Sequence, residues 1–250
     1  ILRIPVIIYE NNLFLGKANR YLLPIVDKIF VSYKELEGIN DKYNKKIIEV
    51  GNIIREEILD YKKNNYHYDN TKIKILVVGG SQAARSFGEI LPKVFEKCLK
   101  EKINLKIYQQ CLPHQNNFLV EQYKKLNIEC KIFNFEENLF GYFSKIDFAI
   151  SRSGSSMLAE FLNCNIPIIT IPLPTSADNH QYKNAKYFEK KGYSFLIEED
   201  KIHEKLFPLI NSIHKDKKII SQMKIKQNEF SDEKVFSKIY EQLDLINIDK

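Results

Sequence analysis

Residues 75–85, ILVVGGSQAAR, decide the fold. The four leading aliphatic residues offer no polar side, so the strand they form is covered on both faces, as in a parallel sheet. Gly79 and Gly80 end that strand and a helical pattern follows. Glycine lets the backbone approach a ligand closely, and the N-terminus of the following helix favours an anion such as a phosphate. Turns of this kind recur throughout doubly wound sheets, so the element speaks for the architecture more firmly than for a function.

Outward from it the same alternation repeats. Apolar runs at 73–78, 105–108, 130–135, 148–151, 166–171 and 193–197, separated by helical patterns, predict six strands of a parallel sheet with helices on both faces. Runs at 6–9, 29–32 and 47–50 predict three more strands, so residues 1–65 read as the carboxyl-terminal part of a first domain. The polar stretch 62–72 is the expected linker. Residues 66–230 are the expected second domain, and 231–250 a terminal helix whose stripe of Val235, Ile239, Leu243 and Leu245 packs back on the first.

At 250 residues, 44% apolar and 28% charged, the chain can bury ordinary cores. Its apolar runs stop far short of the ~20 residues that span a bilayer, so no transmembrane helix is expected. No signal leader is legible at Ile1, and the chain is expected to begin inside a longer parent sequence. Cys98, Cys111, Cys130 and Cys164 form no CxxC pair and no metal spacing with the five His, which predicts reduced thiols in a cytoplasmic protein.

The net charge of +6 rests on scattered Lys, the pattern of a solvated surface, with an anionic membrane surface as the next reading. No nucleic-acid motif occurs. Only five of the 38 cationic residues are Arg, and Arg55, Arg85 and Arg152 each stand beside a Gly-containing junction, where a guanidinium supplies fixed, forked hydrogen bonding.

Residues 151–156, SRSGSS, form a second strand-to-helix junction, in which Ser155 and Ser156 are candidate anion-site residues or simply N-caps. Both junctions fall at the carboxyl edge of the sheet, where open α/β sheets bind ligands. Glu160, on the helix after the second, could accept both hydroxyls of a ribose or face solvent. The loop 172–184, PLPTSADNHQYKN, clusters Asp178, Asn179, His180 and Gln181, donors and acceptors suited to sugar hydroxyls. The absence of a nucleophile elbow, a zinc spacing, a Walker lysine and a GxGxxG fingerprint weakens hydrolase, ATPase and dehydrogenase readings.

Those residues, in that order, resemble the MurG family of N-acetylglucosaminyltransferases. GGSQAA at 79–84 is similar to the family's GGSQGA, SRSG at 151–154 is identical, and 177–185 looks like its DDHQxxNA segment. YENN at 9–12 stands where the family has HEQN, Gly16, Asn19 and Arg20 match GxxNR, and GNIIR at 51–55 replaces GNPVR. The resemblance implies a GT-B fold, two doubly wound Rossmann-like domains facing a cleft, with the first incomplete here. It implies an inverting transfer of N-acetylglucosamine from UDP-GlcNAc to a lipid-linked muramyl-pentapeptide in peptidoglycan synthesis, on the inner face of the cell membrane, without a cofactor or metal.

By carry-over, Arg55 and Ser81, with Gly80, Gln82, Ser153, Gly154 and Ser155 around them, would hold the diphosphate or sugar region. Glu160 would hold the ribose, and the backbone near Phe135 and Glu136 the uracil edge. Gln181, His180 and Asn184 would read the sugar hydroxyls, with Asn12 reaching over from the first domain. The family's candidate catalytic His in a Gly-rich loop lies before the start of this chain, and the His of HEQN is Tyr9, a phenol that titrates near 10 and makes a poor base at neutral pH. Glu10 is left as the candidate base. Ala83 for Gly and Ile53 for Pro are further departures, expected to loosen the site. Three readings follow: the transferase, a non-catalytic or partner-dependent UDP-sugar binding module completed by another chain, and a transferase of another sugar nucleotide.

Overall fold

Strand β4 (Ile73–Val78) sends Ile73, Ile75 and Val77 into one apolar cluster and Leu76 and Val78 into another. Alternation with period two therefore buries both faces of the strand. The first cluster includes Phe87, Leu91, Val94 and Phe95 of α3 (Arg85–Lys100), and the second Leu158, Phe161 and Leu162 of α5 (Ser155–Asn163). The computed structural model describes residues 4–59, 61, 71–80 and 85–248.

The remaining strands of the larger sheet are β5 (Leu105–Gln110), β6 (Glu129–Phe133), β7 (Phe148–Ser151), β8 (Ile168–Thr170) and β9 (Phe195–Leu196). All pair in parallel, in the order β6-β5-β4-β7-β8-β9, with Ile75 opposite both Ile107 and Phe148. The chain winds outward from β4 in one direction and then from β7 in the other. The crevice at the carboxyl ends of β4 and β7 is thus the topological switch point, where such sheets take ligands.

β1 (Ile7–Glu10), β2 (Lys28–Val31) and β3 (Ile47–Glu49) form a separate parallel sheet, with α1 (Lys17–Leu22) after its first strand and α2 (Glu56–Leu59) after its last. Four observed strands, β3, β6, β8 and β9, are shorter than the apolar runs predict. β8 begins only after Pro167, which has no N–H for the ladder, and β6 stops at Phe133 because the Asn134 side chain bonds Cys111 O and Asn116 instead.

Beyond α4 (Asn116–Lys125) and α6 (His180–Lys190), α7 (Ile202–Lys215) and α8 (Lys218–Asn228) pack on the six-stranded sheet. α9 (Val235–Ile248) instead covers the three-stranded one: Val235 is buried with Phe30 and Val50, Ile239 packs beside them, and Lys28 Nζ donates to Gln242 at 3.0 Å. Leu245 departs from the predicted stripe. It is 52% exposed, because two residues past Leu243 the helix has turned more than halfway round from that face.

Cys98, Cys111 and Cys164 are buried and Cys130 half-buried, all as free thiols, and burial pushes the Cys98 thiol up to about 12. Among the described residues no helix is long and apolar enough to cross a membrane, and no group of three or more His, Cys, Asp and Glu could hold a metal ion. The predicted linker falls largely, and Ser81, Gln82 and Ala83 fall wholly, outside the described residues.

Candidate functional site

β4 ends in Gly79 and Gly80. Gly80 adopts φ +77°, a backbone that side chains rarely take, and Gly79 N is held at 3.0 Å by Gln110 Oε1 from the neighbouring strand. The second junction leaves β7 through Arg152 and Ser153 to Gly154, the N-cap of α5. No side chain caps that helix, so Ser155 serves as its buried first residue and not as its cap, and the first-turn N–H groups keep the positive end of the helix dipole open. A Cβ added to Gly80 or Gly154 would meet nothing within 4 Å, so protein packing does not demand glycine at 154.

The two junctions share a cleft of about 780 Å³, walled by Gly79, Gly80, Arg152, Gly154, Gln181 and Glu199. A second cavity of about 530 Å³ adjoins it and is mainly apolar, with Phe133, Phe135, Leu139 and Glu136 among its walls. Gly80 and Met157 line both. Phe135 is 78% exposed at the mouth of the second, and Glu136 is steadied by Tyr142 Oη, which donates to it at 3.0 Å.

Gln181 and His180, at the start of α6, do line the larger cleft. Gln181 Oε1 accepts from Leu173 N at 3.0 Å, and its Nε2 finds no partner among the described residues. The turn before them places Asp178 and Asn179 at φ +50° and +56°, a left-handed conformation that Asp and Asn tolerate better than other side chains. His180 Nδ1 is 2.8 Å from Ala177 O. Ser153 is spent on protein, its hydroxyl donating to Gln181 O at 2.8 Å.

Two expectations need correction. Glu10 is no free base: it is 4% exposed, Oε1 accepts from Asn12 N and Nδ2, and Oε2 accepts from Gly16 N and Asn19 Nδ2. Four hydrogen bonds commit both oxygens of the buried carboxylate and leave it no reach to a substrate hydroxyl. Asn184 does not line the larger cleft. It is buried, its Nδ2 donates to Asn12 Oδ1 and Ser153 O, and its Oδ1 accepts from Leu13 N, so with Asn12 it ties the first sheet's loop to the second junction.

Arg55 and Glu160, assigned to separate parts of a ligand, meet each other here. The Nε–Oε1 and Nη2–Oε2 distances are both 3.0 Å, a two-pronged ion pair joining the loop after β3 to α5.

Tyr9 is likewise committed. Its phenol lies 2.8 Å from Ser32 Oγ, donates to Gly51 O and accepts from Ile53 N, and burial, ahead of its other influences, raises its pKa above the ordinary 10. Ser86 and Glu199 escaped notice in the sequence. Nothing local marks them, and only the fold brings them to Arg152, whose Nη2 reaches both.

Residues 74–241 match the family model described as the glycosyltransferase family 28 C-terminal domain. The chain belongs to glycosyltransferase family 28. A relative from Pelagibacter ubique (strain HTCC1062), named UDP-N-acetylglucosamine–N-acetylmuramyl-(pentapeptide) pyrophosphoryl-undecaprenol N-acetylglucosamine transferase, is 34% identical over 233 residues, 90% of this chain and 64% of its own. The enzyme of the same name from Rickettsia bellii (strain RML369-C) is 33% identical over 220 residues, 84% of this chain and 62% of its own. The chain therefore spans a little under two thirds of the length of these MurG-type relatives. The crystal structure of Acinetobacter baumannii MurG superimposes with a TM-score of 0.74 at 22% identity, covering 91% of this chain and 63% of that one, which establishes the GT-B fold for this family 28 member.

Proposed function

We propose that this chain forms the donor side of an inverting glycosyltransferase that moves N-acetylglucosamine from UDP-GlcNAc to a lipid-linked muramyl-pentapeptide. The observation that carries the reading is the paired cavity at the switch point. A polar chamber bounded by two strand-to-helix junctions adjoins an apolar one, and Gly80 and Met157 lie between them. A nucleotide sugar has that division of character: a base for the apolar chamber, a diphosphate for the N–H groups of the junctions, and a hexose for Gln181 and His180. The names of the relatives support the same donor and acceptor.

In this reading residues 66–230 are the donor domain, and residues 1–65 with 231–250 belong to the acceptor side, which works at the inner face of the cell membrane. Gly80, Ser81, Gln82, Gly154 and Ser155 surround the diphosphate, and Glu136 sits at the base. Arg55 and Glu160 exchange each other for phosphate and ribose when donor binds. As the acceptor hydroxyl attacks the anomeric carbon and gives up its proton to a base or to water, the bond to the diphosphate breaks, and the open end of α5 stabilises the departing charge.

A second reading, a UDP-sugar binding module that needs a further chain for turnover, is favoured by Tyr9 and Glu10, both locked into structural bonds where a base would stand. Calorimetric titration with UDP-GlcNAc, with UDP-glucose as control, tests the shared part: selective binding is expected, and its absence in the folded protein defeats both. Transfer of labelled N-acetylglucosamine to a soluble lipid-linked acceptor analogue separates them.

A further inference from the structure

Arg152 is buried in the wall of the larger cleft, yet its hydrogen bonds go to protein. Nη1 donates to Ile171 O at 3.1 Å and Pro172 O at 3.2 Å, and Nη2 donates to Ser86 Oγ at 3.0 Å and to the Glu199 carboxylate. Ser86 Oγ in turn donates to Glu199 Oε2 at 2.8 Å, and the guanidinium lies 4.6 Å from the Phe87 ring centroid. With both terminal nitrogens engaged, Arg152 acts on a ligand through its charge and through the loops it holds.

A buried guanidinium is costly unless its charge is answered, and among the described residues Glu199 is the carboxylate that answers it. Arg152 and Glu199 have side-chain exposures of 8% and 23%, so the pair is poorly screened, and both line the same chamber as Gly80 and Gly154.

We propose, on the donor-cleft reading, that Glu199 is a positioning and charge-balancing residue of this cleft. It holds Arg152 as the strut that joins the start of α3 to the segments following β7, β8 and β9. It also cancels a cation that would otherwise overbind a nucleoside diphosphate and delay its release. The bonding of Ser86 fits that role, since one hydroxyl accepts from Arg152 and donates to Glu199, fixing the pair's geometry without adding charge.

The test is Glu199→Gln, whose amide oxygen can still accept from Arg152 and Ser86 while the negative charge is gone. Wild type and variant are titrated with UDP, uridine and inorganic pyrophosphate. UDP and pyrophosphate are expected to bind the variant roughly three- to thirtyfold tighter, with the gain shrinking as salt rises and uridine unaffected. Ser86→Ala, which removes a bond but no charge, should show no salt-dependent gain in UDP binding.

Weaker or equal UDP binding by the folded Gln variant, or a gain shared by uridine, overturns the proposal. Should that variant not fold, Glu199→Asp, which withdraws the carboxylate by one methylene, is expected to show a smaller gain of the same kind, and its absence is equally fatal. A wild type that ignores UDP beside a variant that gains pyrophosphate would sink the donor reading and leave the charge balance standing. Failure of both proteins to bind either anion would end both.

Discussion

The backbone N–H of Ile53 donates to the phenol oxygen of Tyr9 at 3.0 Å. Both residues depart from the family pattern, which has Pro at the first position and His at the second. A Pro at 53 would have no N–H to give, so the two departures answer one another. Because the same phenol also engages Ser32 and Gly51 O, one side chain fastens the loop that carries Arg55 to the first sheet. What resembles the loss of a base is, in this chain, the gain of an anchor.

That anchor is measurable as a coupling. Tyr9→Phe should cost about 1–2 kcal/mol in urea unfolding, because Ile53 N and Gly51 O lose a partner. Ile53→Pro should cost more in the wild-type background than in Tyr9→Phe, with an interaction energy of roughly 0.5–1.5 kcal/mol in the double-mutant cycle. Strictly additive effects would show that the two positions changed independently.

Arg55→Ala tests the ion pair and the donor contact together. Arg55 is 43% exposed, so removing it from Glu160 should cost less than about 1 kcal/mol of stability. Loss of a charge-assisted contact to the diphosphate should nevertheless weaken UDP binding by about 1.5–3 kcal/mol, roughly ten- to a hundredfold. Unchanged UDP affinity in calorimetry would confine Arg55 to the bridge between the two sheets.

The architecture was legible because continuous aliphatic runs such as 75–78 can be satisfied only between two layers, whereas the site was legible only in part. Gly80, Gly154 and Gln181 could be placed at the candidate cleft, since glycine at a strand end and an amide at a helix start carry local geometry. Glu10, Asn184 and Glu199 could not. A polar residue in a loop reads the same whether it faces a ligand or another loop, and what separates the cases is tertiary: Asn184 meets Leu13, 171 residues away, and Glu199 meets Ser86, 113 away.

Asn184→Ala should therefore damage the molecule before it damages sugar recognition. Leu13 N and Ser153 O would lose their bonds in a buried setting, and Asn12 would lose its hold on the second junction. A cost of about 2–4 kcal/mol in urea unfolding is expected, each stranded group contributing on the order of 1–3 kcal/mol. A variant of full stability that discriminates poorly between UDP-GlcNAc and UDP-glucose would restore Asn184 to the sugar.

Asp232 is the other bridge, and its signature should lie in pH. Its carboxylate is 3% exposed and accepts from Asn52 N, Asn52 Nδ2 and Asn163 Nδ2, while its own N–H donates to Asn163 Oδ1, so it joins the loop after β3, the end of α5 and the approach to α9. Burial, ahead of the donors that oppose it, raises its pKa above the usual carboxylate value. A folded-state pKa above the unfolded value means that the folded protein holds the proton longer. The associated stability is fully present below the unfolded pKa of about 3.9 and is lost as pH rises through the raised value. Asp232→Ala should cost about 2–4 kcal/mol at neutral pH through its three stranded donors. The gap between wild type and variant should widen as pH falls toward 4, while other carboxylates lower both curves alike. Urea unfolding of the pair at a series of pH values between neutral and 4 is the measurement, and a gap that narrows on acidification would mean that the donors outweigh burial at Asp232.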